Sequence, residues 1–239
     1  MEGIRIGTAA WTVPPQYAEL CPGPGSHLER YARRFDAVEI NSSFYRPHRP
    51  ATYARWAAAV PDGFRFAVKL PKEITHARRL ADAADPLARF LGEAGALGDR
   101  LGSILAQLPP SLAFHPVTAT AFLGLLRDRH SGPVAWEPRH PSWFAPEPEA
   151  LLRRFEIARV AADPALAPGG GNPGGWDGFA YWRLHGSPRI YYSPYTTDFL
   201  DTLATNIRPP AWCIFDNTAR GEATNDALRL IERLRHDRR

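Results

Sequence analysis

The stretch Val38-Glu39-Ile40-Asn41 carries the pattern that decides the fold of this chain. Residues two apart in a β-strand point to the same face, so Glu39 and Asn41 share one face while Val38 and Ile40 take the other. A short run with an apolar face and a polar end is typical of a buried strand that finishes at a polar edge. The same kind of run recurs at residues 66–69, 104–107, 134–137, 160–163, 181–185 and 214–217.

An eighth apolar run, Ile4-Arg5-Ile6-Gly7, opens the chain, and amphipathic helical stretches lie between most of the runs. Strands that alternate with helices predict a parallel sheet covered by helices. Eight such strands in 239 residues match the roughly 250 residues of a (β/α)8 barrel. The sequence therefore predicts an α/β fold, a TIM barrel that forms a single domain over residues 1–239.

One barrel helix is expected to be missing. Residues 164–178 read Pro-Ala-Leu-Ala-Pro-Gly-Gly-Gly-Asn-Pro-Gly-Gly-Trp-Asp-Gly, which is too rich in glycine and proline to hold a helix. A phosphate-binding loop is the weaker interpretation, because no Gly-Lys-Ser/Thr and no helix follow the glycines. We expect a flexible loop or lid to replace the helix between strands 6 and 7.

The composition favours a cytoplasmic protein with one core. Hydrophobic residues make up 44% of the chain and charged residues 23%, a balance that suits one buried core. No stretch approaches the roughly 20 apolar residues of a membrane span, and the N-terminus has no signal-peptide pattern. The two cysteines, Cys21 and Cys213, lack metal-ligand spacing, and we expect no disulfide between them.

The polar residues at the strand ends should converge on one opening, because the active site of a barrel lies at the carboxyl ends of its strands. In the last run the register is ambiguous, and either Asp216 or Asn217 faces inward. The candidate catalytic residues are Glu39, Glu137, Lys69 and His185, and the candidate substrate-binding residues are Asn41, Arg139, Arg183, Asn217, Gln107, Asp163, Trp11 and Tyr45.

Lysine is scarce in this chain. Of its 29 basic residues only Lys69 and Lys72 are lysines, and the ammonium of Lys69 follows a predicted strand. A buried lysine can lose its proton and act as a base or nucleophile, which an arginine cannot do. The alternative is a purely structural role, in which Lys69 forms an ion pair with a carboxylate. We expect Glu39, Glu137 or Asp163 within ion-pair reach of Lys69.

Six short strings occur in a fixed order along the chain: Glu39–Tyr45, Phe66–Lys69, Ile74–His76, Trp136–Arg139, Arg183–Gly186 and Phe215–Asn217. Taken together and in this order, they resemble the YecE-like family of TIM-barrel domains of unknown function. The resemblance implies a TIM barrel and the strand-end site described above. Two positions depart from the family pattern: Ala10 stands where a glycine is usual, and Asp216 replaces the first asparagine of an Asn-Asn pair.

The opening offers three kinds of chemistry. Glu39 and Glu137 can serve as an acid and base, or as a nucleophile and acid, unless they only pair with the basic side chains. A metal held by carboxylates and His185 is disfavoured, because cationic side chains already occupy the same opening; we predict no metal and no cofactor. An anion site fits more directly, since Arg139 and Arg183 offer bidentate geometry to phosphate or carboxylate.

Two functions from different classes follow. The first is an enzyme, a hydrolase or lyase that acts on an anionic, phosphorylated or sugar-containing small molecule. The alternative is a nucleic-acid-binding or nucleic-acid-processing barrel, suggested by a sequence pI of about 9.3 and a rim of arginines and aromatic rings that includes Trp11 and Tyr45. The net charge of +4 is a modest excess, and the chain has no basic run or known nucleic-acid-binding motif.

Overall fold

Strands and helices alternate along residues 3–236, the part of the chain that the computed structural model describes. The apolar runs that were expected to be strands lie in strands. The run at residues 160–163 is interrupted, because Val160 itself is not part of a strand. The strands are β1 (Ile4–Thr8), β2 (Ala37–Ile40), β3 (Arg65–Lys69), β4 (Leu101–Gln107), β5 (Val134–Glu137), β6 (Ala158–Arg159), β7 (Ala161–Asp163), β8 (Gly174–Gly175), β9 (Ala180–Leu184) and β10 (Ala211–Phe215).

The connections between strands are mostly helical. Ser26 and Glu29 form a capping box at the start of the first helix, with each side chain bonded to the other residue's backbone N–H. A π-helix at Glu73–Ala77 and three short 3-10 helices complete the connections. The α-helices are α1 (His27–Ala32), α2 (Ser42–Tyr45), α3 (Pro50–Ala58), α4 (Ala84–Ala94), α5 (Pro116–Arg129), α6 (Pro146–Arg154), α7 (Thr197–Asn206) and α8 (Glu222–His236).

The strands form two sheets rather than one continuous ladder. The first has the order β1-β10-β9-β7 and the second the order β2-β3-β4-β5-β6-β8. All pairs are parallel except β6 with β8, which is antiparallel. The expected parallel arrangement is therefore present, but backbone hydrogen bonds do not close the sheets into an eight-stranded barrel.

A tyrosine hydroxyl explains the break between β1 and β2. The Tyr31 hydroxyl accepts from the backbone N–H of Thr8 at 2.8 Å and donates to the carbonyl of Ala37 at 3.0 Å. Asp36 likewise accepts from the N–H of Ile6 at 3.0 Å. Side chains thus satisfy backbone groups that a direct ladder would otherwise pair. A single β-bridge, between Ala9 and Glu39, joins the two segments directly in the described residues.

Replacing Tyr31 by phenylalanine should destabilise the protein by about 2 kcal/mol, because a buried N–H and a buried carbonyl lose their partner. Urea unfolding at pH 7 measures this loss. The control is Tyr17→Phe, since the Tyr17 hydroxyl is bonded to Glu222 at 3.3 Å in a partly exposed position; there we expect less than about 0.5 kcal/mol. Equal losses in the two variants would contradict this account of the break.

The chain itself connects the sheets on the other side. β6 pairs with β5, and after Val160 the chain continues as β7, which pairs with β9. Side chains from both sheets then meet in one inner cluster, which includes Ala67, Leu105 and Ile214. The opposite, outer face of the strands packs on the helices in a larger core. The two faces are therefore formed by alternate residues of each strand, as the sequence predicted.

The segment between β7 and β9 contains no helix in residues 164–178, as its glycines and prolines predict. It carries only the two-residue strand β8. In the described part of the chain, Cys21 and Cys213 are buried free thiols. No helix within residues 3–236 has the length and apolar character needed to cross a membrane.

Candidate functional site

Arg183, on the inner face of β9, lies at the centre of an ionic cluster. Its Nη2 lies 2.8 Å from Glu39 Oε1 and 2.9 Å from Asp216 Oδ2, and its Nη1 lies 3.2 Å from Glu137 Oε2. Its Nε also donates to Glu39, at 3.1 Å from Oε2. The guanidinium is fully buried. We refer to these four residues with His185 and Arg139 as the Arg183 cluster.

His185 connects two carboxylates of the Arg183 cluster. Its Nδ1 lies 3.1 Å from Asp216 Oδ2, and its Nε2 lies 2.9 Å from Glu137 Oε1. The same Nε2 is 2.8 Å from Nη2 of Arg139. Nε2 therefore either donates to the carboxylate or accepts from the guanidinium, and the protonation of the imidazole decides which.

The charges of the cluster fix the ionisation of its members. Burial by itself raises the pKa of Glu137, but Arg139, Arg183 and His185 outweigh it and hold that pKa well below the usual range. Burial lowers the pKa of Arg183, yet its carboxylate neighbours raise it well above the usual value. The carboxylates and guanidiniums neutralise one another. Glu137 thus holds no proton that it could deliver as a general acid near neutral pH.

The carboxylate of Glu39 is likewise hydrogen-bonded within the protein. Besides the bonds from Arg183, it accepts one from the hydroxyl of Tyr181 at 3.0 Å, and both residues are fully buried. Tyr181 was not among the candidates from sequence. Its position two residues before Arg183 gives it the same parity, and that signal could have revealed it.

Lys69 ends β3 on the same inner face but makes no ion pair. Its side chain is buried, yet within residues 3–236 no carboxylate oxygen lies within 4.0 Å of its Nζ. The ammonium instead sits 4.3 Å from the centre of the Phe44 ring. The expected ion pair with Glu39, Glu137 or Asp163 is therefore absent.

Burial lowers the basicity of Lys69. Burial, together with the charge of Arg183, lowers the pKa of Lys69 from 10.5 to about 8, against the attraction of Glu39, Glu137 and Asp216. At this value a substantial fraction of the amine is uncharged near pH 8. The uncharged form is a nucleophile and a base.

Four polar atoms near the strand ends have no hydrogen-bond partner in the described residues, namely those of Asn41, Arg139, Asp163 and Asn217, and two of the four belong to residues expected beside an anion. These two are Nε of Arg139, which donates, and Oδ1 of Asn41, which accepts. The Arg139 side chain is 11% exposed, whereas that of Arg183 is fully enclosed. The expected pair of anion-binding arginines is thus reduced to Arg139, because every nitrogen of Arg183 already faces protein acceptors.

A cavity of about 520 Å³ lies next to Lys69, with the Phe44 ring as part of its wall. It is bounded by α2, the π-helix and α4. The edge of His76 meets Phe44 with 4.9 Å between ring centres, and Tyr45 is 69% exposed at the rim. The lining carries charges of both signs, Arg46, Lys72 and Arg89 with Glu73 and Glu93, and Arg89 is paired with Glu73 at 2.6 Å. The aromatic walls therefore suit a ligand with an apolar body.

Four other residues that the sequence predicted to bind substrate lie outside the Arg183 cluster. Asp163 faces outward, because its neighbour Ala162 is the residue aligned with Arg183. Asn217 donates to Ser193 and Asp226 in a buried structural network, so Asp216 is the inward residue of the last run. Trp11 packs edge-on against Trp56, with 5.0 Å between the ring centres, and so forms part of the hydrophobic packing. Gln107 pairs in register with Glu137, and no hydrogen bond to its side chain is formed within residues 3–236.

Among the described residues, no three His, Cys, Asp or Glu side chains are arranged to hold a metal ion. Arg183 and Arg139 occupy the positions between the carboxylates that a cation would take.

The sequence matches the family model described as "Protein of unknown function DUF72" over residues 5–239. The chain belongs to the DUF72 family. The UPF0759 protein YecE of Escherichia coli (strain K12) is 35% identical over 153 residues, which cover 63% of this chain and 54% of YecE. The aligned part thus spans about half the length of that DUF72 relative, and the YecE-like resemblance seen in the sequence is confirmed.

Solved DUF72 structures share the fold. A DUF72 family protein of Enterococcus faecalis V583 has a TM-score of 0.79 at 21% identity, over 97% of this chain and 95% of the other. A DUF72 family protein of Thermotoga maritima MSB8 has a TM-score of 0.78 at 23% identity, over 97% and 99% of the two chains. At these identities the likeness concerns the fold alone.

Proposed function

We propose that this DUF72 protein is an enzyme, a lyase or hydrolase, that acts on a small anionic carbonyl compound such as a phosphorylated sugar. The strands would act together as a TIM barrel with its active site at their carboxyl ends. The observation that carries the proposal is Lys69, a buried amine that has no ion pair within residues 3–236 and whose pKa is lowered to about 8. Perturbed, unpaired groups of this kind are concentrated at functional sites.

The chemistry available to such an amine favours the lyase. The Lys69 nitrogen attacks the carbonyl carbon of the substrate, a C–N bond forms, and the carbonyl oxygen leaves as water after protonation. In a substrate with a hydroxyl on the β carbon, the protonated imine accepts the electron pair of the bond between the α and β carbons as that bond breaks. The β fragment leaves as an aldehyde or ketone while its hydroxyl proton passes to water, and the enamine that remains on Lys69 takes up a proton at the α carbon to become an imine again. Water finally hydrolyses the imine and restores Lys69. Neither Glu39 nor Glu137 is needed as the acid, which agrees with their commitment to Arg183.

Arg139 supports an anionic substrate. Its side chain is 11% exposed, and a phosphate or carboxylate of the substrate would pair with the accessible part of the guanidinium. The surrounding charges limit the strength of this site, since Glu39, Glu137 and Asp216 offset Arg139 and Arg183. We therefore infer a substrate whose anionic group meets one guanidinium rather than two.

Reductive trapping tests the proposal, with glyoxylate as an anionic aldehyde and formaldehyde as a neutral one. In the presence of borohydride, the imine on Lys69 becomes a stable secondary amine that mass spectrometry locates. The exposed Lys72 is the internal reference. At pH 8 we expect Lys69 to react about tenfold faster than Lys72, because more of its amine is uncharged, and its rate to level off above about pH 8.

Two variants sharpen this test. Arg139→Leu should slow trapping by glyoxylate about tenfold and leave trapping by formaldehyde unchanged, because only glyoxylate carries the charge that Arg139 meets. Lys69→Met should leave Lys72 as the modified lysine. Equal or slower labelling of Lys69 relative to Lys72 would refute its role as a reacting amine.

A nucleic-acid-binding function is the second candidate, and one observation favours it. Tyr191 and Tyr192 are 43% and 37% exposed in the loop after β9, and the Arg189 guanidinium lies 3.9 Å from the centre of the Tyr192 ring. Exposed rings beside arginines can stack on bases. Binding of a single-stranded oligonucleotide should then weaken steeply with salt and with Tyr192→Ala; salt-independent or absent binding would exclude this candidate.

A further inference from the structure

The ring of Phe44 contacts Lys69 and also borders the large cavity beside it. The Lys69 ammonium lies 4.3 Å from the centre of the Phe44 ring. Phe44 lines the cavity of about 520 Å³ together with Tyr45 and His76, whereas Lys69 does not line it. The rings of Tyr45 and His76 meet the Phe44 ring with 5.0 and 4.9 Å between ring centres. One ring thus touches the amine and the aromatic wall of the cavity at once.

The position of Phe44 is set by the residue before it. The hydroxyl of Ser43 donates to the carbonyl oxygen of Lys69 at 2.7 Å, which ties α2 to the end of β3. Phe44 is 9% exposed and Lys69 is 6% exposed, so water has little access to either side chain. The ring is held against the amine rather than directed into solvent.

The other neighbours of the Lys69 amine belong to the Arg183 cluster. Burial is the largest cause of the lowered pKa of Lys69, and the charges of four cluster members also act on it, namely Arg183, Glu39, Glu137 and Asp216. The amine therefore faces the cluster and the Phe44 ring, and the ring is the neighbour that it shares with the cavity.

We propose that Phe44 determines the size of the substrate. The inference rests on the proposed role of Lys69 as the reacting amine. The Phe44 ring closes the amine off from the cavity, so Lys69 reacts with small carbonyl compounds and excludes those that carry a bulky apolar group. A cavity of about 520 Å³ has the volume of a small-molecule site, and removal of the ring should let an aromatic aldehyde reach Lys69 through it.

Formaldehyde and benzaldehyde test the proposal by reductive trapping, because both are neutral and they differ in size. The quantity measured is the rate of labelling of Lys69 relative to that of Nα-acetyl-lysine in the same solution, which corrects for the intrinsic reactivity of each aldehyde. In the wild-type protein this relative rate should be at least about tenfold lower for benzaldehyde than for formaldehyde. Phe44→Ala should raise it about tenfold for benzaldehyde and change it less than about threefold for formaldehyde.

Two control variants separate the size of the side chain from other effects. Phe44→Leu removes the aromatic ring but keeps a large apolar side chain, so the preference for formaldehyde should remain. Phe114→Ala removes a partly buried ring that packs on Trp143 and does not line the cavity; its preference should equal that of the wild type. If Phe44→Ala does not fold, Phe44→Val opens the same side with a smaller loss of packing.

The pKa of Lys69 gives a second readout that needs no reaction. The chain has only two lysines, so ¹³C-labelled lysine gives two ε-carbon signals in NMR spectra, which Lys72→Met assigns. Phe44→Ala should raise the pKa of Lys69 from about 8 toward 10.5, because water in the cavity would reach the ammonium. Phe44→Leu should not raise it.

The outcomes distinguish this inference from the proposed function. If wild-type Lys69 accepts benzaldehyde as readily as formaldehyde, or if Phe44→Ala leaves the preference or the pKa unchanged, the ring is not the barrier and this inference alone is overturned. If Lys69 reacts with neither formaldehyde nor glyoxylate, the proposed function is overturned and this inference with it.

Discussion

Arg183→Met should be the most damaging single substitution in this protein, with an expected loss of about 3–5 kcal/mol or failure to fold at pH 7. The guanidinium is fully buried and meets Glu39, Glu137 and Asp216. Methionine fills much of the same volume but supplies no charge and no donors. Glu39 and Asp216 would then lose the guanidinium that pairs with them, and of the two guanidiniums in the cluster only Arg139, at Glu137, would remain. Urea unfolding monitored by circular dichroism measures the loss.

The pH dependence of stability should weaken in this variant. In the wild-type protein the lowered pKa values of Glu137 and Asp216 contribute stability that is present above the unfolded pKa and is lost as the pH falls. Arg183 is one of the charges that lower both pKa values, so both should rise in Arg183→Met and less stability should be lost at low pH. Arg183→Met should therefore regain stability relative to wild type as the pH falls from 7 toward about 4.

Arg78→Met is the matched control for the loss of an arginine. Arg78 forms an ion pair with Glu73 at 3.2 Å, but both side chains are more than one-third exposed. Water and salt screen such a pair, so we expect a change of less than about 0.5 kcal/mol. If Arg183→Met lost no more stability than Arg78→Met, the ion pairs of Arg183 with Glu39, Glu137 and Asp216 would contribute no more to stability than an exposed pair.

Lys69→Met should have the opposite effect and stabilise the protein, on the order of 3 kcal/mol at pH 6 to 7. Burial lowers the pKa of Lys69 to about 8, so the unfolded chain binds its proton more tightly than the folded chain does. The cost is fully present below the folded pKa and decreases as the pH rises from about 8 toward the unfolded value of 10.5. Methionine removes this cost and keeps the apolar contact with Phe44.

Thermal or urea unfolding at several pH values checks this prediction. The stability difference between Lys69→Met and wild type should shrink above pH 8, while the exposed Lys72→Met control should differ from wild type by less than about 0.5 kcal/mol throughout. A Lys69→Met variant less stable than wild type at pH 7 would mean that Lys69 is a structural cation. A stabilised variant that loses the fast trapping by glyoxylate and keeps only the slower labelling of Lys72 would fit a residue kept for chemistry at the expense of stability.

The glycine-rich segment and the parity of the strands were readable in the sequence because both follow from local backbone geometry. Alternation along one strand puts Glu39 opposite Val38 whatever the strand contacts. The same rule correctly grouped Glu137, Arg183 and His185 on one face. The helix missing at residues 164–178 follows from the conformational freedom of glycine and the absent N–H of proline.

Which residues meet across strands required the tertiary structure. Polar and apolar residues do not alternate in Val160-Ala161-Ala162-Asp163, so the sequence does not show which face Asp163 takes. The alignment of Ala162 with Arg183 in the structure shows that Asp163 faces outward. The alignment of Ile214 with Arg183 selects Asp216 rather than Asn217 for the cluster. Both outcomes depend on register between strands far apart in the chain, and local periodicity carries no information about that register.

The sequence by itself thus determined the parallel α/β fold, the family and the set of polar strand ends, since these depend on local pattern. The tertiary structure alone decided that Arg183 would be enclosed by three carboxylates, that Lys69 would have none within reach, and that the Tyr31 hydroxyl would separate two strands. The physical reason is that ion pairing and desolvation act over a few ångströms, between side chains whose separation is set by the packing of the whole chain.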